Sequence, residues 1–415
     1  MRMEEWKEYR LGDICQTNKE QYSKKDNFNN VIYLDTGNIT ENTIHELQYI
    51  TIGTDKLPSR ARRKVNNNDI IFSNVRPIQL HYGILRNPPK NMLVSTGFTV
   101  ITSNDDLCNA QFLYHFITQK EIVEHLQSIG EQAVSTYPTI KSSDIENLKI
   151  CLPSLPTQQK IANILSSLDD KIEVNRRINE QLEELAGALF KSWFVDFEPF
   201  KDGEFVDSEL GMIPKGWRVT NLKDFCSEIV RGYTPKYAEY SDYPILNQKV
   251  NKGDKLEKQY YKYNKNDDVV PLNKMAQRGD VYLNSLGQGT LGRIHLYKNE
   301  LSNVIVDQFI TILRTDCFVK SAFLAYLLKT SEYQNVIESR ITGSTGMWVL
   351  TINNIREIKV VEPIDNVWSQ LDNIVQPIYN KIAINEEEIH HLTTLRDTLL
   401  PKLMSGEIDV NEVTL

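Results

Sequence analysis

Apolar residues recur at three- and four-residue spacing along 157–194 and again along 367–404. Written as heptads, the first stretch puts Ile161, Leu165, Leu168, Ile172, Asn175, Asn179, Leu182, Ala186, Leu189 and Trp193 at the a and d positions. The second puts Leu371, Val375, Ile378, Ile382, Asn385, Ile389, Leu392, Arg396, Leu399 and Leu403 there. A narrow a/d seam seeks a partner helix, whereas a helix lying on a globular core shows a broader apolar face. The two seams align at a constant separation of 210 residues, Ile161 with Leu371 and Leu189 with Leu399. The pattern predicts two long helices paired as an antiparallel coiled coil, each ~57 Å long at 1.5 Å per residue. Asn175 and Asn385 interrupt both seams in the same heptad. A buried amide there fixes register by demanding an amide partner. Pro377 lies inside the second pattern and predicts a kink, or a helix that effectively begins there.

The repetition extends past the seams. Trp6, Leu11, Asp13 and Cys15 return as Trp217, Leu222, Asp224 and Cys226, and the Asp69-Ile-Ile-Phe run returns as Asp280-Val-Tyr-Leu. Phe112-Leu-Tyr-His-Phe returns as Phe323-Leu-Ala-Tyr-Leu, and Ile145-x2-Leu148-Lys149-Ile150-x2-Pro153 as Ile355-x2-Ile358-Lys359-Val360-x2-Pro363. An internal repeat of this length sets the architecture. Each half runs from short β-rich segments (Ile70–Phe72 and Thr99–Thr102; Val281–Leu283 and Ile305–Leu313) through a helical stretch (110–128; 321–339) to its long helix. The expected fold is α+β, with two pseudo-repeated globular domains joined by two long helices in an antiparallel coiled coil. The expected boundaries are 1–153 for the first globular domain, 154–195 for the central helix and 196–216 for a linker. The second globular domain then covers 217–363, and the second helix and tail cover 364–415.

Charge follows the same division. The chain of 415 residues carries a net −8, but 157–209 and 365–415 together hold −12 and the remainder +4. The acid therefore sits on the seam-bearing segments, and a nucleic-acid surface on the globular domains is not excluded. No apolar run is long enough to cross a bilayer, the opening residues lack the apolar stretch of a secretion signal, and five cysteines form no CxxC pair. These features fit a cytoplasmic chain without a metal site.

Two motifs tempt and fail. Gly287-Gln-Gly289-Thr-Leu-Gly292 matches a dinucleotide fingerprint, but Arg293-Ile-His-Leu-Tyr follows it and alternates like a strand. A phosphate site of that kind needs a helix there, so a Gly-rich hairpin is expected. Asn87-Pro88-Pro89-Lys90 lacks the aromatic residue that an adenine-methylating loop requires and reads as a proline turn. No HExxH, P-loop or GxSxG pattern occurs. Basic and amide residues offer more. Arg60, Arg62, Arg63 and Lys64 crowd one segment, with Asn74 and Arg76 downstream. Arg231, Tyr233, Lys274, Arg278, Asn284, Ser285 and Arg293 take loop-like positions in the second half. Arg and Lys clamp phosphates, and Arg and Asn read base edges. These thirteen residues are the candidate DNA contacts.

Leu152-Pro-Ser-Leu-Pro-Thr-Gln-Gln-Lys-Ile-Ala, Leu189-Phe-Lys-Ser-Trp-Phe-Val-Asp-Phe, Gly211-x2-Pro214-x-Gly216-Trp217, Gly279-Asp280-Val281 with Gly289-Thr-Leu-Gly292, and Leu399-Leu-Pro-Lys-Leu-Met-Ser-Gly-Glu-Ile together resemble the specificity subunits of type I restriction–modification systems. The resemblance spans the whole chain and implies a non-catalytic subunit. Each globular part would be a target-recognition domain reading one half of a bipartite, asymmetric site in double-stranded DNA. The helices would set the half-site spacing and dock two modification subunits. S-adenosylmethionine, ATP and Mg would be used by those subunits and by restriction subunits, with no cofactor on this chain. A coiled-coil adaptor without DNA specificity and a single-chain DNA methyltransferase are the competing readings. An absence of salt-dependent DNA binding would count for the first, and S-adenosylmethionine binding to the chain alone for the second.

Overall fold

A computed structural model describes residues 6–133, 137–299, 303–343 and 348–413. The first five and last two residues of the expected outer segments lie outside that range. The chain divides into two compact units: Met1–Glu173 with Ile389–Leu415, and Val174–Glu388. The division cuts each long helix, so each unit contains one globular part and a piece of both helices.

In the first unit, an antiparallel sheet orders its strands Cys15–Thr17, Phe98–Ser103, Ile70–Ser73 and Tyr82–Ile84. In the second unit the order Glu228–Arg231, Ile310–Arg314, Val281–Asn284 and Ile294–Leu296 repeats that topology. A second four-stranded sheet accompanies each: Gln48–Thr51, Asn30–Leu34, Met92–Ser95, Ala61–Lys64 in one, and Tyr237–Ala238, Lys262–Asn264, Pro244–Leu246, Ile305–Val306 in the other. Both second sheets contain one parallel pair. Lys7–Arg10 pairs with Lys149–Leu152, and Arg218–Asn221 with Lys359–Glu362. These two-stranded ribbons tie the start of each globular part to its end, directly before a long helix.

The same buried aspartate braces each repeat. Asp69 accepts from the Asn66 amide (2.6 Å) and the Thr102 hydroxyl (2.6 Å). Asp280 accepts from the Gln277 amide (3.0 Å) and from Arg314, whose Nε lies 2.6 Å away. Burial raises both carboxyl pKa values above the usual range, against the pull of these donors. The helical stretches expected at 110–128 and 321–339 each break in two: Ala110–Ile117 and Lys120–Ala133, then Phe318–Lys329 and Ser331–Ser339. Thr330 caps the last of these through its side chain. The Gly-rich segment is the expected hairpin connection, with positive φ at Gly287, Gly289 and Gly292 between Val281–Asn284 and Ile294–Leu296. Asn87 takes φ 49° ahead of the proline turn.

The long helices run Leu155–Phe194 and Asp365–Met404. The second continues through Pro377, so the expectation that it begins there is corrected. The proline removes one hydrogen bond, and packing of Val375, Ile378 and Ile382 against the second unit's core outweighs that loss. Pairing is antiparallel within each unit. Arg396 Nη1 lies 2.9 Å from Asp169 in the first, and in the second Phe194 stacks on Trp368 with ring centroids 5.2 Å apart.

Ile161, Leu165, Leu168, Ile172 and Asn175 are buried, as are Leu371, Val375, Ile378, Ile382 and Asn385. Leu182, Leu189, Leu392 and Leu399 are half-buried. The seam is not a free-standing coiled coil. Ile161 and Leu165 join Phe112, Ile150 and Leu403 in one core, and Leu371 and Ile382 join Phe323 and Phe190 in another. Gly406 follows the second helix at φ 74°, with the Trp6 ring 3.2 Å from where a Cβ would sit.

Asn175 and Asn385 do not meet each other. Asn175 Nδ2 donates to Glu388 Oε2 (2.9 Å), and Asn385 Nδ2 donates to Asn179 Oδ1 (2.8 Å). The expected amide partner exists for Asn385 alone. Across the repeat Asn179 corresponds to Ile389, which has no amide to offer, so Asn175 takes a carboxylate.

Candidate nucleic-acid interface

In the first unit the strand Ala61–Lys64 displays the basic segment on the margin of its sheet. Arg60 and Arg62 are exposed, and among the described residues Arg62 spends only Nε, on the Ser59 carbonyl (3.3 Å). Arg62 also lines a cavity of about 500 Å³ with the stacked rings of Tyr22 and Phe28. Lys64 is paired within the protein, its Nζ 2.8 Å from Asp26 and 3.5 Å from Glu20. Arg63 is half-buried, and its Nε has no protein partner among the described residues. Asn74 turns its Oδ1 to the Thr99 hydroxyl (2.6 Å), which leaves it a structural role at the end of its strand.

Arg76 is the best-placed nominee. Its backbone takes φ 46°, and its guanidinium lies 4.8 Å from the centroid of the exposed Tyr137 ring. Stacking restrains the fork while leaving its N–H groups for a ligand. Tyr137 escaped the sequence reading, because nothing local links it to a residue sixty-one positions earlier.

In the second unit most of the nominees are buried or bonded within the protein. Asn284 and Ser285 are fully buried. Asn284 accepts from Asn251 (3.0 Å) and donates to the Gln248 carbonyl (3.2 Å); Ser285 shares a 2.5 Å bond with Thr311. Neither reaches a base edge in this fold. Arg231 Nη2 donates to the Leu350 carbonyl (2.5 Å), and burial lowers the Arg231 pKa. Lys274 Nζ donates to the Arg231 carbonyl (2.6 Å). Arg278 bonds Asn380 (2.5 Å) and lies over Phe318, so it joins domain to helix. Tyr233 donates its hydroxyl to Asp268 (3.0 Å). Arg293 braces its own hairpin through weak bonds to the Asn251 and Gly289 carbonyls. Arg60, Arg62 and Arg76 thus stay open to a ligand, while the seven residues nominated in the second half are engaged within the protein.

A second set of cations fastens each globular part to the helices. In the first unit Arg86 Nη1 lies 2.9 Å from Asp170. Its counterpart Lys298 is buried and bonds Glu183 (2.7 Å) and Glu386 (2.8 Å), one from each helix. Among the described residues no group of three His, Cys, Asp or Glu side chains is placed to hold a metal ion, and no helix is long and apolar enough to cross a membrane.

A family profile described as the type I restriction modification DNA specificity domain matches the chain twice, over residues 3–184 and 214–394. The two matches fall on the two repeats. The chain belongs to the type I restriction–modification specificity family. The specificity subunit of the type I restriction enzyme HindI from Haemophilus influenzae is 27% identical, over 98% of this chain and 100% of that protein. The MjaIX specificity subunit from Methanocaldococcus jannaschii is 31% identical, over 98% of this chain and 89% of that one. The solved S subunit of a type I restriction–modification system from M. genitalium shares the fold, with a TM-score of 0.57, 18% identity and 97% of both chains covered. This specificity subunit is the DNA-recognition component of its system, with two target-recognition domains and no catalytic part of its own.

Proposed function

We propose that this specificity subunit reads a bipartite duplex site, one half with each unit, and that the paired helices set the separation of the halves. The observation that carries the reading is one sheet topology built twice with unlike surfaces. The first unit leaves Arg60, Arg62 and Arg76 exposed or stacked at its surface, and the second exposes Val269 and Leu272 instead. Two unlike readers on one repeated frame select two unlike half-sites.

The helices are the docking surface for two modification subunits in this reading. Val174 and Ile384 are exposed apolar residues 210 apart, and so are Leu185 and Leu395. Apolar side chains exposed at repeat-equivalent positions suit two copies of one partner. S-adenosylmethionine, ATP and Mg are then handled by the modification and restriction subunits.

Mapping methylated adenines across the host genome tests the reading. Two different short sequences separated by a fixed, unspecified gap are expected. A single continuous recognition sequence would overturn it.

A further inference from the structure

Of the residues that the sequence first suggests for the second unit, Asn284 and Ser285 are buried, and Arg231, Lys274 and Arg278 are engaged within the protein. Val269 and Leu272 stand out instead. They are 88% and 70% exposed, an unusual state for large apolar side chains on one short loop. The loop is held in place by a built contact. Asp268, with its side chain 3% exposed, accepts from Lys236 Nζ (2.6 Å), Tyr233 (3.0 Å) and Asn264 Nδ2 (3.1 Å). Three donors on one buried carboxylate anchor the residue directly before Val269. Pro271 restricts the backbone two positions later, and Val269 is itself stiff at χ1.

The charge around the loop is mixed: residues 236–268 hold seven lysines, six carboxylates and six tyrosines, and Lys262 and Lys265 are exposed among them. On the outer strand Tyr237–Ala238, the Lys262 ammonium lies 4.7 Å from the Tyr237 ring centroid, and the Lys265 Nζ is exposed with no protein partner among the described residues. The first repeat carries the corresponding segment. Pro58 stands eleven residues before Asp69, as Pro271 stands nine before Asp280. There the residues around the proline include Lys56 and Arg60; here they are Val269, Val270 and Leu272.

We propose that the Val269–Leu272 loop is the base-reading finger of the second target-recognition domain, with Lys262 and Lys265 placing it against the phosphates of its half-site. The partner is double-stranded DNA, argued from apolar tips that match thymine methyl groups or base steps and from lysines that match phosphate. Asp268 is a positioning residue that holds the finger. The proposal rests on the two-reader function above.

The test uses the complex of this chain with its modification subunits and duplexes carrying the genome-mapped site, altered in one half or the other. The double variant V269S/L272S is expected to lose about tenfold or more of the discrimination at the second half-site, in line with the cost of a mismatched base pair. Discrimination at the first half-site stays intact and reports correct folding. The variant K262A/K265A is expected to weaken binding to all duplexes alike and to reduce the slope of log K against log salt by about 2. Full discrimination at both half-sites in V269S/L272S, or equal loss at both, would overturn the proposal while leaving the two-reader account standing. A wild-type complex that shows no bipartite preference would sink that account and the proposal with it.

Discussion

Each repeat keeps one histidine dry. His115 lies beside the Ser166 hydroxyl at 3.3 Å in the first unit, and His295 Nδ1 sits 2.8 Å from the Gly253 carbonyl in the second. Burial pushes their pKa values down to about 4 and about 3, although Asp169 pulls the first the other way. Unfolded histidine takes up its proton near pH 6.5. Below that pH the unfolded chain binds more protons than the folded one, so stability falls as pH drops towards 4. At pH 5 each histidine removes about 2 kcal/mol, at roughly 1.4 kcal/mol per pKa unit. Urea unfolding at pH 7.5 and pH 5.0 checks this: H115Q/H295Q should lose much of the acid sensitivity, and unchanged sensitivity contradicts the assignment.

At this scale the sequence was least legible. Asn284 and Lys64 had the right chemistry for DNA. Their fates were set by Asn251 and Asp26, thirty-three and thirty-eight positions away in sequence. Interleaved Lys and Tyr through 236–265 is the sequence's own signal for the second unit's surface.

Among elements, the long helices were legible because heptad spacing depends on sequence alone. Their polar pairs were not. Antiparallel packing brings Asn179, Asn385 and the Ile382 carbonyl together in the second unit, with Asn385 fully buried and its Oδ1 lacking a protein partner among the described residues. A buried amide pair of this kind fixes register at a cost in stability. N179A should destabilise the protein by about 1–3 kcal/mol, because it strands the Asn385 amide. N179L/N385L removes both amides and should match or exceed the wild-type thermal midpoint. A double-mutant cycle of N179L, N385L and N179L/N385L separates the cases: a double variant clearly less stable than the wild type, but by less than the sum of the single losses, would mean that the amides stabilise the pair rather than specify it. Pro377 shows the same limit of local reading. A proline ends an isolated helix, yet the apolar neighbours Val375 and Ile378 keep this one continuous.

For the whole molecule, duplication was the strongest signal in the chain, and the structure repeats it strand for strand in the first sheet of each unit. The compact units were less legible, because each takes residues from both ends of the sequence or from both helices. A heptad pattern cannot reveal that the seam also closes each globular core through Ile161, Leu165, Leu371 and Ile382. The central claim is that the two units read DNA independently on one shared frame. Exchanging residues 1–153 for those of a related specificity subunit, then mapping methylated adenines in the host genome, tests it most directly. The account predicts a new first half-site, an unchanged second half-site and an unchanged gap between them. A change in both half-sites, or in neither, would contradict it.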